Sequence, residues 1–233
     1  MLEFVASCIP ARIATMIEAF IRNTVPAVRG FLHRPAQPAE TGLVLTHGAG
    51  GNCNMPVLVA LAEAFAEQGV AVLRCDLPFR QLRPHGPPRG SGADDRAGLR
   101  QAIAALRETI SGKIFVGGQS YGGRQATMLI AEEENLADGL LTLSYPLHPP
   151  GKPAQLRTQH LPKIKTPALF VQGDKDPFAS PAEIEAALKL IPAKTSLLII
   201  ENAGHDLGFR RGADRQDTVS KIVSAFRERF LAG

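Results

Sequence analysis

Short aliphatic runs alternate with segments of helical periodicity along most of this chain. Gly42-Leu-Val-Leu-Thr46, Val70-Ala-Val-Leu-Arg74, residues 113–117, 139–144, Ala168-Leu-Phe-Val-Gln172 and residues 195–200 read as strands. Between them, residues 56–68, 94–110, 121–134, 181–190 and 214–230 carry apolar residues at helical spacing, with Gly69 and Gly112 as stops. This alternation predicts an α/β fold, a mostly parallel, doubly wound sheet with helices on both faces. The strands are nearly continuous apolar runs, as both-face burial requires. Val28-Arg-Gly-Phe-Leu32 reads as an edge strand, open to pairing. The 233 residues fit one domain over 27–233, with 1–26 as an N-terminal extension or amphipathic helix.

In such sheets, ligands bind beyond the C-terminal ends of the strands, so the loops there are where chemistry is expected. One of them reads Gly117-Gly-Gln-Ser-Tyr-Gly-Gly123, between a strand and a helix. This is the G-x-S-x-G pattern in its required context. Ser120 must sit on a tight turn that lifts its hydroxyl above the sheet, and glycines at 118 and 122 remove side chains that would clash there. The following helix aims its first N–H groups at the site. A serine hydroxyl needs a base, and of the six histidines only His205 lies late in the chain after a strand. The base needs an orienting carboxylate. Asp174 and Asp176 follow the strand at 168–172, and Asp176, before Pro177, is the better candidate, with Asp174 as a turn residue. For the oxyanion, His47-Gly-Ala-Gly-Gly51 offers the N–H of Ala49, with Gly50 second, and Tyr121 supplies the other N–H. His47 itself reads as a structural residue that bonds the loop backbone.

The order Ser120, Asp176, His205 is that of the α/β-hydrolases, which the chain resembles from about residue 27 to 232. More narrowly, HGAGG, Arg74-Cys-Asp-Leu-Pro-Phe79, GGQSYGGR, Ser144-Tyr-Pro-Leu147 and Phe170-Val-Gln-Gly-Asp-Lys-Asp176 resemble a branch of small hydrolase-like proteins. That branch is similar to the dienelactone hydrolases and includes the hydrolase-like domain of a chromatin-complex subunit. The resemblance implies nucleophile, acid and base at Ser120, Asp176 and His205. Dienelactone hydrolases carry cysteine where this chain has Ser120. The function expected is cleavage of a carboxylic ester or thioester through an acyl-enzyme on Ser120. The rival reading is a binding module with a vestigial triad.

Residues 145–167, between two strands, hold six prolines and are too short for a large lid, so an open site for small or flexible acyl groups is expected. Phe79, Arg80 and Tyr145 are candidate substrate-binding residues. Arg80, Arg83, Arg89 and His85 form a basic stretch that suggests attraction of an anionic substrate, with Arg124, Arg157 and His160 as further candidates, set against the plainer reading of a solvated loop. The net charge of +4 is spread out, without an aromatic-interleaved basic stripe, so nucleic acid is not expected. Three cysteines without metal-like spacing imply a reducing, cytoplasmic setting, with no metal or cofactor and Cys75 as a buried apolar residue. No apolar run is long enough for a membrane span, and the oligomeric state is not legible.

Overall fold

A computed structural model describes residues 15–209 and 215–232. Among these residues eight strands form one sheet: β1 (Met16–Arg22), β2 (Val28–Arg34), β3 (Thr41–Thr46), β4 (Val70–Cys75), β5 (Lys113–Gln119), β6 (Gly139–Leu143), β7 (Ala168–Gly173) and β8 (Thr195–Ile200). Their order is β1-β2-β4-β3-β5-β6-β7-β8. The two pairings that involve β2 are antiparallel, and all the others are parallel. The chain starts its parallel run at β3, steps outward to β4, then crosses to β5 on the other side of β3. The strand order therefore reverses at β3, and the crevice beyond β3 and β5 is the natural binding place.

Among the described residues, six α-helices accompany the sheet: α1 (Pro56–Glu67), α2 (Pro78–Leu82), α3 (Ala93–Arg107), α4 (Tyr121–Glu132), α5 (Pro181–Leu188) and α6 (Arg215–Phe230). Alternate strand residues feed two cores. Val44, Ile114 and Val116 pack with α3, α4 and α5, whereas Leu43, Leu45 and Phe115 pack with α1 and α6. Without tryptophan, the second core relies on phenylalanines: Phe226 meets Phe65 and Phe115 edge-on, each with ring centroids 4.9 Å apart. Each such ring buries about 150–250 Å² and dominates its layer. Between β6 and β7 stands only a 3-10 turn at Leu161–Lys163, so no large lid domain is inserted.

Two expectations are corrected here. Residues 16–22, within the stretch read as a helix or loose extension, form β1, paired along its whole length with β2. That pairing makes β2 an inner strand and moves the sheet edge to β1, where Met16, Ile17 and Ile21 are exposed. Residues 1–14, including Cys8, and the expected helix start at Asp214 lie outside the described residues.

Candidate active site

Ser120 joins β5 to α4 with φ 52° and ψ −116°. This left-handed φ is costly for a residue with a Cβ, on the order of 1–3 kcal/mol. Backbone bonds hold it: Ser120 N–H donates to Leu143 O at 2.8 Å, and Arg124 N–H donates to Ser120 O at 2.9 Å. The turn also needs its glycines. A Cβ on Gly122 would lie 2.5 Å from His47 O and 2.6 Å from Thr46 Cγ2.

Three of the expected residues are brought together. Ser120 Oγ lies 2.7 Å from His205 Nε2, and His205 Nδ1 lies 2.8 Å from Asp176 Oδ2. The tautomer follows, because a carboxylate only accepts: Nδ1 carries the proton and Nε2 faces the serine hydroxyl. The Asp176 side chain is fully buried and takes two further bonds, from Gln172 Nε2 to Oδ2 at 2.8 Å and from Phe178 N–H to Oδ1 at 2.9 Å. The Phe178 ring lies 4.2 Å from the His205 ring, and Gln119 Nε2 donates to His205 O at 3.1 Å. Gln119, Gln172 and Phe178 were not singled out from sequence. The signal available was position: Gln119 precedes the serine, and Gln172 and Phe178 flank Gly173–Pro177. Asp174 behaves as the turn residue expected, accepting from Ala203 N–H at 3.1 Å.

The loop after β3 lies against the serine. A Cβ on Gly48 would stand 3.4 Å from Ser120 Cβ. Tyr121 opens α4, so its N–H has no acceptor within the helix. Its phenol donates to Asp95 Oδ2 at 2.7 Å, and burial, with that bond, pushes the hydroxyl well above the usual tyrosine range. His47 is fully buried and bonds backbone on both sides, as expected: Nδ1–H donates to Gly48 O at 2.8 Å, and Leu77 N–H donates to Nε2 at 3.1 Å. Burial holds its pKa below the ordinary value, which keeps the neutral tautomer that both bonds require.

The three substrate-binding candidates are largely buried, although Phe79 and Arg80 contribute to the walls of two clefts. Tyr145 is 1% exposed and donates to Arg157 O at 2.8 Å. Phe79 is buried against His47 and Tyr121, with centroids 5.6 Å from each. Arg80 is 7% exposed and turned inward onto backbone carbonyls, so the basic rim loses its central member. His160 is half-buried and lines a separate cleft with Arg124: it bonds Thr127 Oγ at 2.8 Å, and burial and then Arg124 lower its pKa to about 4. A cleft of about 260 Å³ opens beside the loop after β3, lined by Ala49, Gly50, Arg80, Pro84, His85 and Pro87. Cys53 and Cys75 are buried, and burial pushes Cys53 up to about 12. Among the described residues, no three His, Cys, Asp or Glu side chains group to hold a metal ion, and no helix is long and apolar enough to cross a membrane.

A serine at a strained strand–helix turn, joined through histidine to a buried aspartate at the C-terminal edge of a parallel sheet, is an arrangement of the hydrolase class. The family model for the alpha/beta hydrolase domain matches residues 39–230, and the chain belongs to that family. Its fold is similar to that of dienelactone hydrolase from Anabaena variabilis (TM-score 0.74, 23% identity, over 93% of this chain and 99% of that one). It is also similar to Est1E from Butyrivibrio proteoclasticus (TM-score 0.74, 16% identity, 91% and 99%). A third likeness is to a serine hydrolase described as lidless, from Xanthomonas campestris (TM-score 0.67, 17% identity, 93% and 96%).

Proposed function

We propose that this hydrolase cleaves carboxylic esters or thioesters of small acyl groups through an acyl-enzyme on Ser120. The observation that carries the reading is the unbroken chain from Ser120 Oγ through His205 to Asp176, with both links under 3 Å. In this mechanism Ser120 Oγ attacks the carbonyl carbon while its proton passes to His205 Nε2. Asp176 holds the imidazole orientation and stabilises the imidazolium. The N–H groups of Tyr121 and of Ala49, with Gly50 second, bind the oxyanion. Collapse of the tetrahedral intermediate expels the alcohol or thiol, which takes the proton from Nε2. Water, deprotonated by the same nitrogen, then attacks the acyl-enzyme and releases the acid.

The open cleft of about 260 Å³ supports short acyl groups over long chains. A panel of p-nitrophenyl esters and acyl thioesters of increasing length tests this. Turnover should be highest for short chains and should fall by at least ~10³-fold in Ser120→Ala. Full activity in that variant would remove the mechanism.

A further inference from the structure

The guanidinium of Arg80 ends every donor on a backbone carbonyl. Nε donates to Gly51 O at 2.7 Å. Nη2 donates to Ala49 O at 2.8 Å and Gly86 O at 3.2 Å. Nη1 donates to Pro84 O at 2.7 Å and Arg83 O at 3.2 Å. Arginine has five N–H donors in a rigid planar fork, and here each has an acceptor. No donor remains for a substrate anion. The short helix α2 that carries Arg80 is itself fastened, by Phe79 N–H donating to buried Asp95 at 3.0 Å.

A trans peptide points its N–H opposite its C=O. When Arg80 holds the Ala49 carbonyl, it therefore turns the N–H of Gly50 the other way. His47 does the same one peptide earlier: its bond to Gly48 O sets the N–H of Ala49. So both candidate oxyanion donors of this loop are set through the carbonyl of their own peptide unit, by a buried side chain. We infer that Arg80 is a positioning residue for the oxyanion-binding loop, fixing the Ala49–Gly50 peptide plane before substrate arrives. The inference rests on the acyl-transfer reading above. The need for such a residue is plain from the sequence Gly48-Ala-Gly-Gly51, which has large backbone freedom when unrestrained. Donors that must reorganise during the reaction stabilise an oxyanion poorly. A cation on the carbonyl also polarises the N–H of the same peptide, which strengthens it as a donor. Three of the other four carbonyls belong to residues 83–86, so the same side chain ties that turn against Ala49 and Gly50 and shapes the cleft between them.

The test compares Arg80→Lys and Arg80→Ala with wild type in steady-state hydrolysis of p-nitrophenyl acetate, with thermal melts to confirm folding. The expected result is a kcat lower by roughly 10–100-fold with KM within about twofold, because the donors act on the transition state. Added guanidinium ion should restore part of the kcat of Arg80→Ala and leave wild type unchanged. A folded Arg80→Ala with wild-type kcat overturns the inference, and so does a loss in kcat and KM together that guanidinium does not relieve. If wild type hydrolyses no ester or thioester, the acyl-transfer reading is what has failed. The clamp is then read from amide hydrogen exchange at Gly50, where at least ~10-fold faster exchange in Arg80→Lys upholds it and unchanged exchange overturns it.

Discussion

Gln172 and His205 donate to one and the same oxygen: Gln172 Nε2 and His205 Nδ1 each lie 2.8 Å from Asp176 Oδ2. With Phe178 N–H on the other oxygen, the carboxylate plane is fixed from three sides. Removing the Gln172 donor leaves the carboxylate free to rotate away from the imidazole. A bond to a charged acceptor contributes about 1.5–3 kcal/mol, and only part of that concerns orientation. Gln172→Leu should therefore lower kcat by roughly tenfold with little change in KM. Steady-state kinetics check it, and a kcat within twofold of wild type would remove Gln172 from the account.

Tyr121 has two separable parts. Its backbone N–H is the proposed oxyanion donor, while its phenol serves the buried Asp95, which also accepts from Phe79 N–H. Tyr121→Phe keeps the N–H and leaves Asp95 with one partner fewer. Urea unfolding should show a loss of about 1–2 kcal/mol, the usual result of orphaning a buried acceptor. The kcat of the variant should stay within about threefold.

Gly122 and Gly50 make a contrasting pair. An added Cβ at Gly122 meets the backbone oxygen of His47 at 2.5 Å, which cannot give way, whereas at Gly50 nothing lies within 4 Å. Gly122→Ala should lower Tm by at least ~5 °C, as overpacking of about 2 kcal/mol does in a domain of this size. Gly50→Ala should melt within about 1 °C of wild type. Calorimetry separates the two, and equal Tm values would contradict the turn geometry.

Two histidines, buried His33 and half-buried His160, set an acid limit on stability. His33 accepts from Arg74 Nε at 2.7 Å, and burial, then the Arg74 charge, lower its pKa to about 4. His160 is lowered to about 4 as well, by burial and then by Arg124. Both folded values lie below the ordinary 6.5, so the unfolded chain takes up these protons first as pH falls. Their contribution is complete above about pH 6.5 and is lost towards pH 4, at no more than about 1.4 kcal/mol per pH unit for each. Urea unfolding at pH 7.5, 6 and 5 should show falling stability, with a shallower fall in His160→Asn. A flat wild-type profile over that range contradicts the assignment.

The parallel sheet and the order serine, aspartate, histidine were legible in the sequence because each is a local signal. The β–α alternation sets the sheet, and G-x-S-x-G marks one turn by its own steric needs. What escaped depends on contacts distant in sequence. Met16–Arg22 has no strong alternation, and it is a strand because β2 pairs with it. Arg80 sits in an arginine-rich stretch and reads as a substrate contact or a solvated charge, since nothing local reveals that carbonyls of residues 49 and 51 surround it. Tyr145 follows a strand end, as a substrate contact would, yet its hydroxyl serves Arg157 O in the interior. Gln172 needed the geometry of Asp176 before its role had meaning.

The central claim is that Ser120 is an activated nucleophile. Labelling with a fluorophosphonate probe, read by intact mass on wild type and Ser120→Ala, tests it most directly. The account predicts one adduct on wild type and none on the variant. Folded wild type that takes no label, or a variant that labels equally well, would contradict it.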